Sequence, residues 1–342
     1  MFAVATLGKA EAESGRAPAR KYSLLDRAPH GQEHGVCESK RLQAQSFEGV
    51  LMNANRSSSG KTHKQENFPV ASWLVRVEHR PVILAFYRFA RAADDVADDP
   101  AYSAEQKTAR LAEMESSLVG NEMRAPDAVK LGKALRERGL SLRHALDLLG
   151  AFRLDVSKTR YASWDELMSY CAQSAMPVGR FVLDVHGESA ATWAASDSIC
   201  AALQIINHLQ DCGADFRNLN RVYLPMDRLA AHAVGADALG AGAASAPLRN
   251  CIGELAQRAA DLLHEGRGLA EQILDRRLRF EISVIHALAL RLTQRLIDRD
   301  PLSEDTHLNG LEAAGTAALA ILRTATLGFG LTARDATSEV RP

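Results

Sequence analysis

The 342-residue chain has no run of about 18 apolar residues, the length that crosses a bilayer as a helix, so no segment is expected to span a membrane. It has no excess of either charge, with 41 Lys and Arg against 42 Asp and Glu, which excludes a nucleic-acid binder that works through a basic surface. Its five cysteines, Cys37, Cys171, Cys200, Cys212 and Cys251, are odd in number and contain no C-x-x-C pair. Neither a disulfide framework nor a zinc site is expected, and a reducing, cytoplasmic setting is the default. No segment alternates apolar and polar residues for long enough to predict a strand. What remains is a chain that is 46% hydrophobic and 24% charged, an ordinary globular composition with the length of one large domain or two small ones.

The first 64 residues differ from the rest. From Met1 to Lys64 no period of 2 or 3.6 is sustained, and Ser57-Ser58-Ser59-Gly60 favours a flexible chain, so this extension is expected to be disordered. Scattered acids (Glu11, Glu13, Asp26, Glu33, Glu38, Glu48) argue against a transit peptide, and no charged head precedes an apolar stretch as in a secretory signal. Met52 is an alternative start. Beyond Phe68 the chain reads as successive helices near 80–96, 104–119, 127–138, 141–156, 163–175, 177–186, 196–213, 247–274 and 279–299, with breaks where Gly, Pro and Asn cluster. An all-α catalytic domain over 65–310 is expected, followed over 311–342 by a weakly amphipathic helix near 311–325 and a polar tail.

Two acidic clusters interrupt these apolar helices. Asp94 and Asp98 lie four residues apart on one helix face, with Arg91 one turn earlier. Asn207, Asp211 and Asp215 recur at the same spacing, and each step of four rotates only about 40°, so three oxygen-bearing side chains form one ridge. An acidic run at a helix end also arises simply as a solvated face. Here, however, Phe86, Tyr87 and Phe89 precede the first cluster, and Leu203, Ile205 and Ile206 precede the second. Carboxylates beside such apolar surface require a counter-charge or a cation, and hard oxygen donors with room for phosphate and water suit Mg²⁺. Two such ridges can hold Mg²⁺ ions and, through them, a diphosphate.

These residues resemble the squalene and phytoene synthase family. The resemblance rests on F-Y-x-x-x-R-x-x-D-x-x-x-D from Phe86 to Asp98, and on N-x-x-x-D-x-x-x-D from Asn207 to Asp215 followed by R-V-Y-L-P from Arg221 to Pro225. Tyr170-Cys171 and Val178-Gly179 sit where the family has a Y-C-x-x-V-A-G-x-V-G helix, and the likeness covers about residues 66–310. Within the family, Glu66 to Ser72 and Asp184 to Glu188 are similar to the bacterial hopanoid-pathway branch, the hydroxysqualene synthases. Two departures from the commoner pattern agree. Gln210 stands where N-x-x-R-D has an arginine, and Ser174-Ala175-Met176-Pro177 replaces V-A-G with a proline that should bend or restart its helix.

The resemblance implies the all-α isoprenoid synthase fold, a helix-walled cavity and Mg²⁺-diphosphate at its mouth. It implies two or three Mg²⁺ ions held by Asp94, Asp98, Asn207, Asp211 and Asp215, with Tyr87 and Tyr170 beside the acids as catalytic candidates. Arg91, Asn207, Gln210, Arg221, Tyr223 and Asn67 are the substrate-binding candidates. A missing arginine at Gln210 removes a fixed forked charge, so one diphosphate rather than two is expected in the site. The expected reaction is presqualene diphosphate and water to hydroxysqualene and diphosphate, without NADPH. An NADPH-dependent squalene synthase, a phytoene-type synthase and a non-catalytic helical partner of a sister synthase stay open as alternatives. Phe181, Leu183, Val185, Ala202, Ile205 and Ile206 could line the cavity or simply pack the core, and Gln210 could merely pack or hydrogen-bond on the helix surface. No nucleic acid is expected as a partner. Sister synthases of the pathway, and peripheral contact with the inner face of the membrane, remain open.

Overall fold

The computed structural model describes residues 75–338, with side chains to 326. The expectations placed on residues 1–64, on Met52 and on Asn67 lie outside the described residues. Among the described residues all regular structure is helical, and an isolated bridge between Arg160 and Val222 is the nearest approach to a strand.

Helix α1 (Arg80–Asp98) starts with Pro81 in its first turn and buries Val82, Ile83, Phe86, Phe89, Ala90, Ala93 and Ala97 on one stripe. It stops at Asp99, extended because Pro100 follows. Helix α2 (Ala104–Val119) opens with a reciprocal capping box between Ser103 and Gln106 and closes on left-handed Gly120, φ 96°. Helix α3 (Pro126–Glu137) presses on α2 so closely that a Cβ at Gly132 would collide with the Leu118 carbonyl oxygen. Helix α4 (Arg143–Ser157) packs against both α1 and α2.

Helices α5 (Trp164–Ser174) and α6 (Met176–Val185) are two pieces of one run, and Pro177 in the first turn of α6 makes the restart expected from sequence. Phe181 of α6 stacks on Phe86 of α1 with centroids 4.0 Å apart. Helix α7 (Trp193–Gln210) is buried on nearly every side from Ile199 onward, the pattern of a central helix, and it packs against α6 and the later helices α10 and α12. Ser174 joins α5 to α7 by donating its hydroxyl to Gln204 Oε1 at 2.7 Å.

The chain continues through α8 (Cys212–Leu219), α9 (Met226–Ala231), α10 (Ala246–Glu265), a short α11 (Leu269–Gln272), α12 (Arg276–Asp298) and α13 (Gly310–Ser338). Asp275 caps α12 by accepting from the amides of Arg277 and Leu278 at 2.8 and 3.0 Å. Where sequence suggested a last helix near 311–325, the backbone stays helical to Ser338, a stretch that no proline interrupts. The expected 196–213 helix is in fact two helices, and the expected 247–274 helix gives way to a 3₁₀ turn at Gly266–Gly268.

Candidate active site

The two acidic clusters have the same spacing but different backbones. In α1 the turn carrying Asp94 and Asp98 is continuous. Arg91 lies on the same face, with Nη1 3.4 Å from Asp94 and Nη2 3.6 Å from Asp95. Burial first, then Asp98 and Asp99, push the Asp95 carboxyl above its usual range while Arg91 opposes them. Asp95 is thus held toward its neutral form by burial first, with its neighbouring carboxylates adding to it.

In the second cluster the helix is interrupted at Asp211, which caps α7 and begins α8. Two bonds of helical pattern remain across the interruption, the Asp211 amide donating to the Asn207 carbonyl and the Asp215 amide to the Asp211 carbonyl, both at 2.8 Å. Asn207, Asp211 and Asp215 therefore still follow one another turn by turn. Behind the junction the chain is tightly seated, and a Cβ at Gly213 would come within 2.7 Å of Leu302 Cδ2. Gln210 is buried and donates its amide to the Thr306 carbonyl at 3.1 Å, which ties the junction to the same segment that Gly213 approaches.

Arg221 brings the two clusters together. Its backbone amide donates to the Asp215 carbonyl at 3.1 Å, and its Nη1 donates to Asp98 Oδ1 at 2.9 Å. Its Nη2 donates to the carbonyl of Asp155 at 2.8 Å. Only 7% of Arg221 is exposed. Burial works against its charge, but Tyr223, Asp155 and Asp98 outweigh it and hold the guanidinium above its ordinary pKa. The position of Arg221 follows from local structure. Asn220 ends α8 in the left-handed region, φ 50°, and turns the chain back. The Val222 amide then donates to Thr159 O at 2.9 Å and the Met226 amide to Tyr161 O at 2.8 Å.

The sequence candidates Tyr170 and Tyr223 meet at a residue that sequence reading missed. Asp155, on α4, accepts the Tyr170 hydroxyl on Oδ2 at 2.8 Å and the Tyr223 hydroxyl on Oδ1 at 3.2 Å. Burial, reinforced by the Asp155 charge, pushes both phenols well above their usual range and keeps them protonated. Tyr223 also stacks on His208, centroids 3.6 Å apart and planes 11° apart, next to Asn207 on α7. A signal for Asp155 existed: it falls three residues after Phe152 on the buried stripe of α4, an acid where an apolar residue is expected. Tyr87 is buried in the core of α1, Arg91 stays with its own helix, and Gln210 points to Thr306. Phe181, Leu183, Val185, Ala202, Ile205 and Ile206 are all buried.

Among the described residues no three side chains of His, Cys, Asp or Glu gather closely enough to hold a metal on their own. The donors still fit Mg²⁺, which keeps several waters and takes one or two carboxylates together with substrate phosphates. Asp94 and Asp98 on α1, with Asp211 at the α7–α8 break and Asp215 on α8, provide carboxylates in such pairs.

Known proteins similar to this chain share its family and its fold. The squalene/phytoene synthase family pattern matches residues 61–311. A hydroxysqualene synthase of Rhodopseudomonas palustris is 54% identical over 262 residues, 77% of this chain and 90% of that protein. One from Zymomonas mobilis is 50% identical over 288 residues, 84% of this chain and 97% of that protein. Among solved structures, the squalene synthase HpnC of Alicyclobacillus acidocaldarius is similar with a TM-score of 0.59 and 29% identity, over 75% of this chain and 96% of that one. From its matched motifs to its all-helical fold, this chain belongs to the squalene/phytoene synthase family.

Proposed function

We propose that the chain ionises presqualene diphosphate and directs water onto the resulting cation, releasing hydroxysqualene and diphosphate. The observation that carries the reading is Arg221, whose amide and guanidinium draw Asp215 and Asp98 to one polar centre beside two phenols. The high identity to hydroxysqualene synthases over nearly their whole length supports this choice of substrate.

In the reaction the carbon–oxygen bond breaks with its electron pair leaving on the diphosphate. The cyclopropylcarbinyl cation rearranges to an allylic cation, the oxygen of water bonds to it, and the proton that water loses goes to the departing diphosphate or solvent. Mg²⁺, two or three ions held by Asp94, Asp98, Asn207, Asp211 and Asp215, supplies Lewis-acid stabilisation of the leaving group when bound. Arg91 and Arg221 add fixed positive charge where negative charge develops, the largest kind of catalytic contribution. Tyr170 and Tyr223, kept neutral, present no phenolate that would trap the cation. The apolar side chains of α6 and α7 exclude early water.

The catalytic domain on this reading is 65–310, and no hydride from NADPH enters. A squalene synthase that reduces the same cation is the second reading, favoured by the name of the Alicyclobacillus structure. Incubation with presqualene diphosphate and Mg²⁺, with and without NADPH in heavy-oxygen water, separates the two. An oxygen-labelled alcohol in equal yield is expected, and squalene formed only with NADPH would establish the second reading instead. The enzyme is proposed to work in the cytoplasm beside sister synthases, touching the inner face of the membrane through Leu311, Leu319 and Leu322, which stand exposed on α13. Co-sedimentation with anionic-lipid vesicles should weaken in a Leu319→Glu/Leu322→Glu variant.

A further inference from the structure

Asp155 lies outside both acidic clusters, yet two phenols and Arg221 converge on it. Only 8% of it is exposed. Each of its carboxylate oxygens takes one phenol, Tyr170 at 2.8 Å and Tyr223 at 3.2 Å, and its backbone carbonyl takes Arg221 at 2.8 Å. The residue therefore ties α4 to α5 and, through Arg221, to Asp98 of α1. Through Tyr223 it reaches His208, stacked at 3.6 Å on the helix that carries Asn207 and Asp211.

Packing alone does not demand these hydroxyl bonds. Tyr161 sits in the same stack, 5.2 Å from Tyr170 and 5.6 Å from Tyr223 between centroids, and its buried hydroxyl has no hydrogen-bond partner. Two of the three tyrosines are oriented by a charge, and the third only fills space. An ionised carboxylate is acceptor-only and accepts from two phenols at once, in bonds stronger than those between neutral groups. A carboxamide of the same shape offers one acceptor oxygen and one donor nitrogen, so one phenol has to reverse its bond and accept instead, and its hydroxyl proton is no longer fixed.

We infer that Asp155 is a positioning residue, which fixes the Tyr170 and Tyr223 hydroxyls and the Arg221 fork relative to the two acidic clusters. The inference rests on the proposed ionisation of presqualene diphosphate. Its consequence is that Asp155 acts on the chemical step and not on substrate capture. A displacement of about 1 Å in such a group costs about a hundredfold in rate.

The test is a set of variants of the full-length protein, assayed with presqualene diphosphate for kcat and KM and by circular dichroism for fold. Asp155→Asn should lower kcat about a hundredfold with KM within about twofold and native helix content. Tyr161→Phe should match the wild type. Adding Asp155→Asn to a Tyr170→Phe/Tyr223→Phe background should cost less than about threefold more, because residues in one hydrogen-bond network are not additive. A wild-type kcat in folded Asp155→Asn, or full additivity with the tyrosine pair, would overturn the inference. So would an equal loss in Tyr161→Phe. Should Asp155→Asn fail to fold, unchanged kcat in both Tyr170→Phe and Tyr223→Phe overturns it, and a kcat loss confined to those two variants, with Tyr161→Phe unaffected, supports it. A wild-type protein that makes no alcohol refutes the proposed reaction instead, and the two failures are told apart in the same experiment.

Discussion

The first acidic cluster sits in an uninterrupted helix and carries its own counter-charge, Arg91, on the same face. The second sits across a helix break at Asp211 and is tied to distant chain through Arg221 and Gln210. One spacing of carboxylates is thus built once from local rules and once from tertiary contacts. The difference teaches where each cluster is vulnerable. The first depends on the acids themselves, and the second on the segments that hold its junction closed.

The largest effect should come from the acids. Asp94→Asn and Asp211→Asn keep side-chain volume, and each should lower turnover by about a thousandfold or more with helix content unchanged on circular dichroism. Excess EDTA should do the same to the wild type, and full activity in either variant or in EDTA would break the equivalence of the two clusters. Next comes Arg221→Met, which severs the link between them. It leaves Asp98 and the Asp155 carbonyl without that donor, so activity should be lost together with about 3 kcal/mol of stability in urea unfolding.

Smaller again is Gln210→Ala. Losing the amide bond to Thr306 should cost about 1 kcal/mol, read in the same unfolding assay, while presqualene diphosphate is still turned over. The wild type and Gln210→Arg should both fail to condense farnesyl diphosphate alone, NADPH included, and efficient condensation by the wild type would remove the one-diphosphate reading. The smallest effect concerns Cys212, beside the break. Burial, then Asp215, push its thiol up to about 12, so iodoacetamide at pH 8 should leave it unmodified in folded protein. Labelling of Cys212 in peptide mapping before unfolding would show that the junction opens.

Much of this was legible in the sequence because it is written in local periodicity. The α1 helix and the restart at Pro177 obey rules that span four residues or fewer. The break at Asp211 was not legible, since Asn207, Asp211 and Asp215 keep helical spacing through it and are still linked by bonds of helical pattern. Asp155 escaped for a related reason. Its partners Tyr170 and Tyr223 are 15 and 68 residues away, and nothing local distinguishes it from a solvated acid except its place on an apolar stripe. Gln210 was read for the charge it lacks, whereas the structure gives it a mechanical tie to Thr306.

The left-handed turn at Asn220 has one more consequence. Arg160 Nη2 donates to the Asn220 side chain at 2.7 Å, and just beyond it the Val222 amide donates to the Thr159 carbonyl in an isolated bridge, with the Met226 and Asp227 amides reaching Tyr161 and Ala162. In so short a pairing, side chains alternate sides with every residue. Lengthening the loop by one residue between Asn220 and Tyr223 would turn Tyr223 away from Asp155 while leaving every helix intact. This stretch is therefore a ruler, whose length in residues sets the polar centre as firmly as the identity of any side chain in it.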